Sequence, residues 1–261
     1  MITITNTEIF PQENHVQIEL SNGKKYKILL RDYENLPFEC AIDSPLENIT
    51  IDVGKIELSE TNQYFNGDCV RFLSFLSRKY SIYKSAIYKV ALSDIPKKVL
   101  AVKLYFSYER YYKKLNQNRN KNNKIEIEPE TLKTLCNLVC DEFEASGYID
   151  DRRYALDKAK YLKEYKKYGN QKIKGYLYQK RISSDIIDEI LEDDLFVDEE
   201  TEAQNMRALL IKKYGENLHR LDTSDSKDIQ KAFNMLVRSG YKYQEAKNVV
   251  MDFIDDLGID S

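Results

Sequence analysis

Lys166-Lys167-Tyr168-Gly169 recurs as Lys212-Lys213-Tyr214-Gly215, and this repeat indicates how the C-terminal half of the chain folds. An apolar pattern of helical period precedes each copy of the motif, and two further helical patterns joined by a short turn follow it. A motif that returns with the same flanking pattern indicates a repeated structural unit. The C-terminal half therefore predicts two tandem three-helix units.

The apolar faces of the predicted helices correspond between the two units. Each set follows the spacing of an amphipathic helix, with one stripe directed to a core. In the first unit the stripes are Ala155, Ala159, Leu162, Ile173, Leu177, Ile186, Ile190 and Leu191. In the second unit they are Ala203, Met206, Leu210, Ile229, Phe233, Leu236, Ala246, Val250 and Phe253. The second unit also has about a dozen additional polar residues, at 216–228, between its first two helices.

The first 68 residues predict β structure instead of helices. Apolar residues alternate on both sides of Ser21-Asn22-Gly23, as in a hairpin. A three-residue loop pairs Ile18 with Tyr26 and keeps the apolar side chains on one face, whereas a two-residue loop would mix the faces. It also leaves Gly23 at the left-handed position of the turn, where glycine is least strained. Further short strands are predicted around Ile2/Ile4 and Ile49/Ile51/Val53.

The segment between these regions predicts separate helices. We expect helices over 69–79 and 82–92, capped by Asp68 and Ser81, because both residue types favour the N-cap. A third helix is predicted to begin at Ser93-Asp94, with Pro96 in its first turn. After a polar loop at 116–128, Pro129 opens a helix that Gly147 ends.

The sequence contains no signature of an enzyme. Its nine glycines form neither a phosphate-binding loop nor a dinucleotide fingerprint, and its two histidines, His15 and His219, are isolated. Cys136 and Cys140 share a helix face, but no second pair follows at metal-ligand spacing, so we interpret them as buried thiols. We therefore predict a protein with no catalytic residue, no metal and no cofactor.

The net charge of −3 conceals a strongly uneven charge distribution. Residues 69–124 have a net charge of +12, and 11 cations face 4 acids between 150 and 181. Cations neutralise phosphates, and the tyrosines between the cations of 69–124 can stack on exposed bases. The candidate residues for binding a partner or DNA are Lys166, Lys167, Lys172, Lys174, Lys180, Arg181, Arg110, Lys113 and Lys114.

A family resemblance rests on residues in and around the first of the two units. The core signature of the RecX family, bacterial regulators of the RecA recombinase, resembles Gly147-Tyr148-Ile149-Asp150-Asp151, Tyr154-Ala155, Gly169, Ile173, Leu177 and Ile182. The N-terminal hairpin is similar to the β extension of the Gram-positive branch, and Arg238-Ser239-Gly240-Tyr241 resembles a turn of the last repeat. The chain has Arg181 where the family usually has glycine, which predicts a non-glycine residue in a left-handed cap.

The resemblance implies a fold and a function. The fold is mainly α, with tandem three-helix repeats forming a curved array after a small N-terminal β-hairpin or sheet region. The function is that of a non-enzymatic, monomeric, cytoplasmic regulator that binds the RecA filament on DNA and inhibits its ATPase and strand exchange. Its basic patches would contact single- or double-stranded DNA. No apolar run approaches the ~18 residues of a membrane span, and residues 1–6 resemble no secretion signal.

The resemblance divides the chain into four parts. Residues 1–67 form a small β-rich extension, and 68–147 form a basic helical region with the first three-helix repeat. Residues 148–196 and 197–261 form the second and third repeats. Two segments, 69–90 and 101–115, compete for the start of the first repeat.

Two other functions fit the same residues. One is a stand-alone DNA-binding regulator that uses 69–124 as a helix-turn-helix, which predicts a preference for particular base sequences. The other is a helical-repeat adaptor for proteins alone, which predicts binding that is insensitive to salt.

Overall fold

The computed structural model describes residues 2–38, 40–43, 46, 69–117, 119, 127–215, 221 and 225–258. The chain forms two compact units, Met1–Ile149 and Asp150–Ser261. The first unit combines a small antiparallel sheet with helices, and the second is helical. The predicted fold class, mainly α with an N-terminal β region, is confirmed.

The N-terminal sheet has three antiparallel strands in the order of the chain. They are β1 (Ile4–Phe10), β2 (His15–Leu20) and β3 (Lys25–Leu29), and the short helix α1 (Leu30–Glu34) follows directly. Ile18 pairs with Tyr26 across the predicted three-residue loop, and Gly23 has a φ of 78°. The hairpin register is therefore confirmed, as is a strand at Ile4. The strand predicted at Ile49/Ile51/Val53 lies outside the described residues.

Three long helices complete the first unit: α2 (Cys69–Leu92), α3 (Lys97–Asn116) and α4 (Pro129–Ala145). Helix α2 packs on β3 and on α4, and α3 packs on α4. Their shared core includes Ile18 of the sheet, Phe72 of α2, Leu104 of α3 and Phe143 of α4. After α4, Gly147 takes a φ of 73°, so the predicted helix from Pro129 to a terminal glycine is confirmed.

The predicted break at Ser81 is wrong, because α2 is continuous from Cys69 to Leu92. The Ser81 hydroxyl donates to the carbonyl of Ser77 over 3.1 Å, a bond that lets serine remain inside a helix. Ile82 and Ala86 are fully buried and continue the apolar face across this point. The predicted cap Asp68 lies outside the described residues.

The start of the next helix also differs from the prediction. Helix α3 begins at Lys97, with Pro96 as its N-cap and Ser93-Asp94 before it. The residue before a proline is driven out of the α conformation by the proline ring. Ile95 therefore cannot continue a helix begun at Ser93.

A buried ionic network joins the sheet region to two helices of the first unit. The Lys79 ammonium of α2, 4% exposed, lies 2.9 Å from an Asp32 carboxylate oxygen of α1 and 2.5 Å from one of Glu142 on α4. Arg31 also pairs with Glu142. Burial raises the pKa of the Glu142 carboxyl, and the charges of Lys79 and Arg31 oppose that rise.

Removing the central cation should destabilise the protein in a pH-dependent way. Lys79→Met removes the ion pair of the buried Asp32 carboxylate and one of the two cations that pair with Glu142, and it is expected to cost about 3–5 kcal/mol at neutral pH. It also raises the pKa of Glu142 further, and a carboxyl with a raised folded-state pKa loses its stabilising contribution as pH increases. The deficit should therefore shrink on acidification in urea unfolding curves measured across pH.

The control for this substitution is Lys133→Met on α4. The Lys133 ammonium, on a side chain 62% exposed, lies 3.6 Å from Glu130, and its loss should cost less than about 1 kcal/mol at any pH. Equal losses for the two variants would contradict the role given to the network.

The second unit contains the predicted helices in order. The first set is α5 (Asp151–Glu164), α6 (Asn170–Gln179) and α7 (Ser184–Leu191), followed by the short α8 (Asp194–Val197). The second set is α9 (Glu199–Tyr214), α10 (Ser226–Arg238) and α11 (Tyr243–Gly258). Each set encloses its own apolar core, centred on Leu177 in the first and Leu236 in the second.

The two helix sets meet at a close approach of two turns. The Gly169 amide donates to the Ser239 carbonyl over 2.8 Å, and the Gln171 amide donates to the Gly240 carbonyl over 3.1 Å. The Tyr241 hydroxyl donates to the Lys167 carbonyl over 2.9 Å. A Cβ atom on Gly169 would lie 2.5 Å from the carbonyl carbon of Gly240, so no side chain fits there.

Adding a methyl group at this contact should separate the two helix sets. Gly169→Ala and Gly240→Ala each force backbone atoms apart, and Gly240 also has a φ of 97° that alanine rarely adopts. We expect each to cost more than about 2 kcal/mol, measured by thermal unfolding. Gly175→Ala in α6 is the matched control, because nothing lies within 4 Å of the added Cβ. It should stabilise the helix by about 0.5–1 kcal/mol.

Candidate nucleic-acid interface

The basic residues predicted between 166 and 181 surround helix α6 in the second unit. Lys166 and Lys167 lie in the turn before α6, Lys172 and Lys174 lie on it, and Lys180 and Arg181 form the turn after it. Ile173 and Leu177 direct the opposite face of α6 into the core, where both are fully buried. The local fold thus holds the six predicted cations of this region around one short helix.

Most of these lysines extend along tyrosine rings. The hydrocarbon stem of lysine packs on apolar surface while the ammonium stays near water, and the ring face attracts the charge. The ammonium-to-centroid distances are 5.8 Å for Lys166 and Tyr161, 3.9 Å for Lys172 and Tyr168, 5.9 Å for Lys174 and Tyr178, and 5.3 Å for Lys180 and Tyr176. Packing on the tyrosine rings therefore restricts the orientation of these lysine side chains.

The two turns place Lys167 and Arg181 in the left-handed region, with φ of 57° and 62°. The prediction of a non-glycine left-handed cap at Arg181 is confirmed. The Arg181 amide donates to the Tyr178 carbonyl over 2.9 Å and ends α6. A side chain costs about 1–2 kcal/mol in this conformation, so a cation stands where glycine would be less strained.

Some cations of this region already have acidic partners. The Lys174 ammonium lies 2.6 Å from an Asp188 carboxylate oxygen on α7, and this hydrogen bond raises the pKa of Lys174. Arg152 pairs with Glu189 over 2.7 Å in the same way. By contrast, Lys166, Lys172 and Lys180 form no ion pair with any described residue. These three are the better candidates for an external phosphate.

One cation in this stretch has a structural role that the sequence did not reveal. The Lys163 side chain is 1% exposed, and its ammonium lies 2.6 Å from Glu202 and 3.1 Å from the side-chain oxygen of Asn170. Asn170 also donates to the Phe196 carbonyl over 2.7 Å. Lys163 therefore connects the two helix sets and is unavailable to a ligand.

The other predicted cations, Arg110, Lys113 and Lys114, belong to the first unit and lie near the C-terminal end of α3. The Arg110 guanidinium donates to the Phe106 carbonyl over 3.1 Å, and Lys113 pairs with Glu109 over 3.2 Å. Cations at a helix C-terminus also complement the helix dipole. Contacts within α3 therefore account for part of this group, whereas Lys166 and Lys180 form no ion pair with any described residue.

The predicted thiols and the first histidine have core positions. Cys136 and Cys140 are buried free thiols, and burial raises the pKa of Cys136 to about 12. His15 is 1% exposed, and its ring lies 4.6 Å from that of Phe10. Among the described residues no cluster of three or more His, Cys, Asp or Glu side chains has a geometry that could hold a metal. Within the same ranges no helix has the length and apolarity to cross a membrane.

These features define a helical-repeat protein with a basic surface around one helix. Residues 150–191 match the family model described as RecX, second three-helix domain. The matched segment contains α5, α6 and α7 and therefore includes the six cations around α6.

Comparisons of the whole chain lead to the same family. The chain is 31% identical over 147 residues to the regulatory protein RecX of Clostridium botulinum strain Alaska E43, a match that covers 56% of this chain and 64% of that protein. It is 32% identical over 110 residues to the regulatory protein RecX of strain Eklund 17B, covering 42% of this chain and 49% of that one. These matches thus span less than two thirds of each relative.

A solved structure resembles the chain across nearly its full length. The crystal structure of a regulatory protein RecX has a TM-score of 0.59 and 14% identity, and the match covers 97% of this chain and all of that one. At this identity the likeness concerns the fold alone. The family model and the curated relatives confirm the resemblance to the RecX family.

Substituting Arg181 in its strained left-handed conformation should affect folding stability and DNA binding in different ways. Arg181→Gly removes a cation and relieves left-handed strain, so the free energy of unfolding should stay the same or rise by up to about 1 kcal/mol. If Arg181 contacts a phosphate, DNA affinity should nevertheless fall, and its dependence on salt should become shallower by about one unit of slope. Fluorescence anisotropy of a labelled oligonucleotide at several salt concentrations measures both quantities.

Lys231→Gln is the matched control for Arg181→Gly. Its ammonium lies 2.7 Å from Asp228 within α10, and its side chain is 69% exposed. Its loss should leave affinity and salt slope unchanged. An Arg181→Gly protein that binds DNA with the original affinity and slope would remove Arg181 from the interface.

Proposed function

We propose that this chain is a non-enzymatic regulator that binds a RecA recombinase filament on DNA and inhibits its ATPase and strand exchange. The observation that carries the proposal is the set of cations around α6 within the segment that matches the second three-helix domain of RecX. Under this proposal the protein acts as a monomer in the cytoplasm.

The charge of the second unit suits a partner that has both phosphates and basic protein surfaces. Lys166, Lys172 and Lys180 offer charge that no described carboxylate neutralises. The start of α9 offers the opposite charge through Glu199 and Glu200. A filament of protein on DNA presents both kinds of surface, and complementary charges fix the orientation of a bound partner.

The proposal assigns the remaining elements to repeats. Helices α2–α4 represent the first three-helix repeat, α5–α7 the second and α9–α11 the third, with domain limits at 68–147, 148–196 and 197–261. Residues 1–67 form the β-rich extension. Because stacked repeats present a continuous face, such an arrangement suits binding along a filament.

The decisive measurement is the DNA-dependent ATPase of RecA with and without this protein. We expect an equimolar amount to lower ATP turnover on single-stranded DNA and to shorten filament lifetime, while the protein alone hydrolyses no ATP. Combining Lys180→Gln with Arg181→Gly should weaken inhibition, because both changes remove charge from the α6 turn. Lys231→Gln should inhibit like the unchanged protein.

Three outcomes would contradict the proposal. Unchanged ATP turnover and filament lifetime would reject regulation of the recombinase. Binding to one duplex sequence in preference to others would favour a helix-turn-helix regulator, since only contacts with base edges read sequence. Binding to the filament that does not depend on salt would favour an adaptor that contacts protein alone.

A further inference from the structure

One flank of α5 has an aromatic and basic row that the charge pattern did not predict. Tyr154, Lys158, Tyr161 and Tyr165 have the i, i+4, i+7, i+11 spacing that places residues along one side of a helix. The Tyr165 amide donates to the Tyr161 carbonyl over 3.0 Å, so the helical path continues through Tyr165. We refer to these four residues as the α5 row.

The α5 row changes from core to surface along its length. Tyr154 is 9% exposed, whereas Tyr161 is 45% and Tyr165 is 74% exposed. Aromatic residues that stabilise a core are buried, as Tyr154 is. Core packing therefore does not explain the last two rings.

The two exposed rings lie close to parallel. Their planes differ by 27° and their centroids are 5.5 Å apart. A base inserted between them would need about 7 Å, twice the stacking distance of ~3.4 Å. A base can therefore stack only on the outer face of the pair and extend it.

Cations lie next to two rings of the α5 row, the exposed Tyr161 and the buried Tyr154. The Lys166 ammonium is 5.8 Å from the Tyr161 centroid, and the Lys158 ammonium is 5.8 Å from the Tyr154 centroid. Asp157 and Glu164 are the acidic residues nearest in sequence, and neither belongs to the α5 row. The exposed ring pair has the Lys166 ammonium beside it, and Lys158 lies one helical turn before Tyr161 on α5. The pair and these cations are the two components of a site for a single strand, a stacking surface and charge for the backbone.

We propose that Tyr161 and Tyr165, with Lys158 and Lys166, form a stacking platform for the unpaired bases of single-stranded DNA. In a duplex the base faces are covered by their neighbours, so the platform favours single strands. The inference deepens the proposed function, because it names the form of DNA that the α6 surface and its neighbour α5 contact.

The absence of tryptophan from the sequence gives a direct test. Tyr165→Trp introduces a single indole fluorophore that stacks as tyrosine does. We expect a 20-nucleotide dT strand to quench its fluorescence strongly at saturation, and a duplex of equal length to quench it little. Quenching by neither, or equally by both, would overturn the platform.

Tyr243→Trp is the matched control. Tyr243 is 61% exposed on α11 in the same unit, but its ring packs edge-on against Phe233 at 4.4 Å instead of on a second exposed tyrosine. Its indole should not be quenched by the dT strand. Quenching equal to that of Tyr165→Trp would show that contact with DNA is not specific to the platform.

Affinity measurements separate stacking from charge. Tyr161→Leu with Tyr165→Leu should weaken single-strand binding about tenfold or more and leave the salt slope unchanged, because the cations remain. Tyr161→Phe with Tyr165→Phe should retain affinity, since the rings persist. Circular dichroism and melting temperature check that the leucine protein is folded. A loss of the same size for duplex DNA would overturn the preference for single strands.

Failure of this inference differs from failure of the proposed function. If RecA turnover falls while Tyr165→Trp is not quenched, the platform is wrong and the regulatory function stands. If Tyr165→Trp is quenched by single strands while RecA turnover is unchanged, the platform stands and the regulatory function is wrong.

Discussion

The close approach of Gly169 and Gly240 positions the two helix sets of the second unit against each other. Two amides at the start of α6 donate to the carbonyls of Ser239 and Gly240, so the turn after α10 satisfies donors that a helix N-terminus otherwise leaves to water. Since Lys172 Cβ lies against Gly240 in this contact, the position of the basic helix is set by the following helix set. Rigid backbone contact of this kind holds side chains more firmly than surface ion pairs do.

The same contact explains how α6 tolerates cations near its first turn. Lys166, Lys167 and Lys172 oppose the positive end of the helix dipole, which is a mild electrostatic cost. The carbonyl oxygens of Ser239 and Gly240 bring partial negative charge to that end. The partial positive charge at the start of α6 is thus partly neutralised, and the lysine ammonium groups remain available to a partner.

Local patterns predicted the helices and the hairpin, because apolar period and turn chemistry act within a few residues. Ile18 has to pair with Tyr26 if the apolar side chains of the hairpin are to share one face. Pro129 and Gly147 mark the two ends of the α4 pattern. Ser81 misled the prediction, because serine favours a cap and also bonds to the preceding turn inside a helix. The contact of Gly169 with Gly240 and the burial of Lys163 depend on residues far apart in sequence, so no local rule could reveal them. The i, i+4 spacing of Tyr161 and Tyr165 was visible in the sequence, but their exposure was not.

The two units achieve specific geometry by different means. In the first, Asp32 and Arg31 of α1 reach Lys79 and Glu142 on two helices, and buried ions tolerate few alternative partners. In the second, backbone hydrogen bonds between the turns at Gly169 and Gly240 fix the contact of the two helix sets. Among the described residues of the second unit, the pair of Lys163 with Glu202 is the buried ionic link between the helix sets. The remaining lysines around α6 are then left to the surface, where salt, DNA and acidic side chains compete for them.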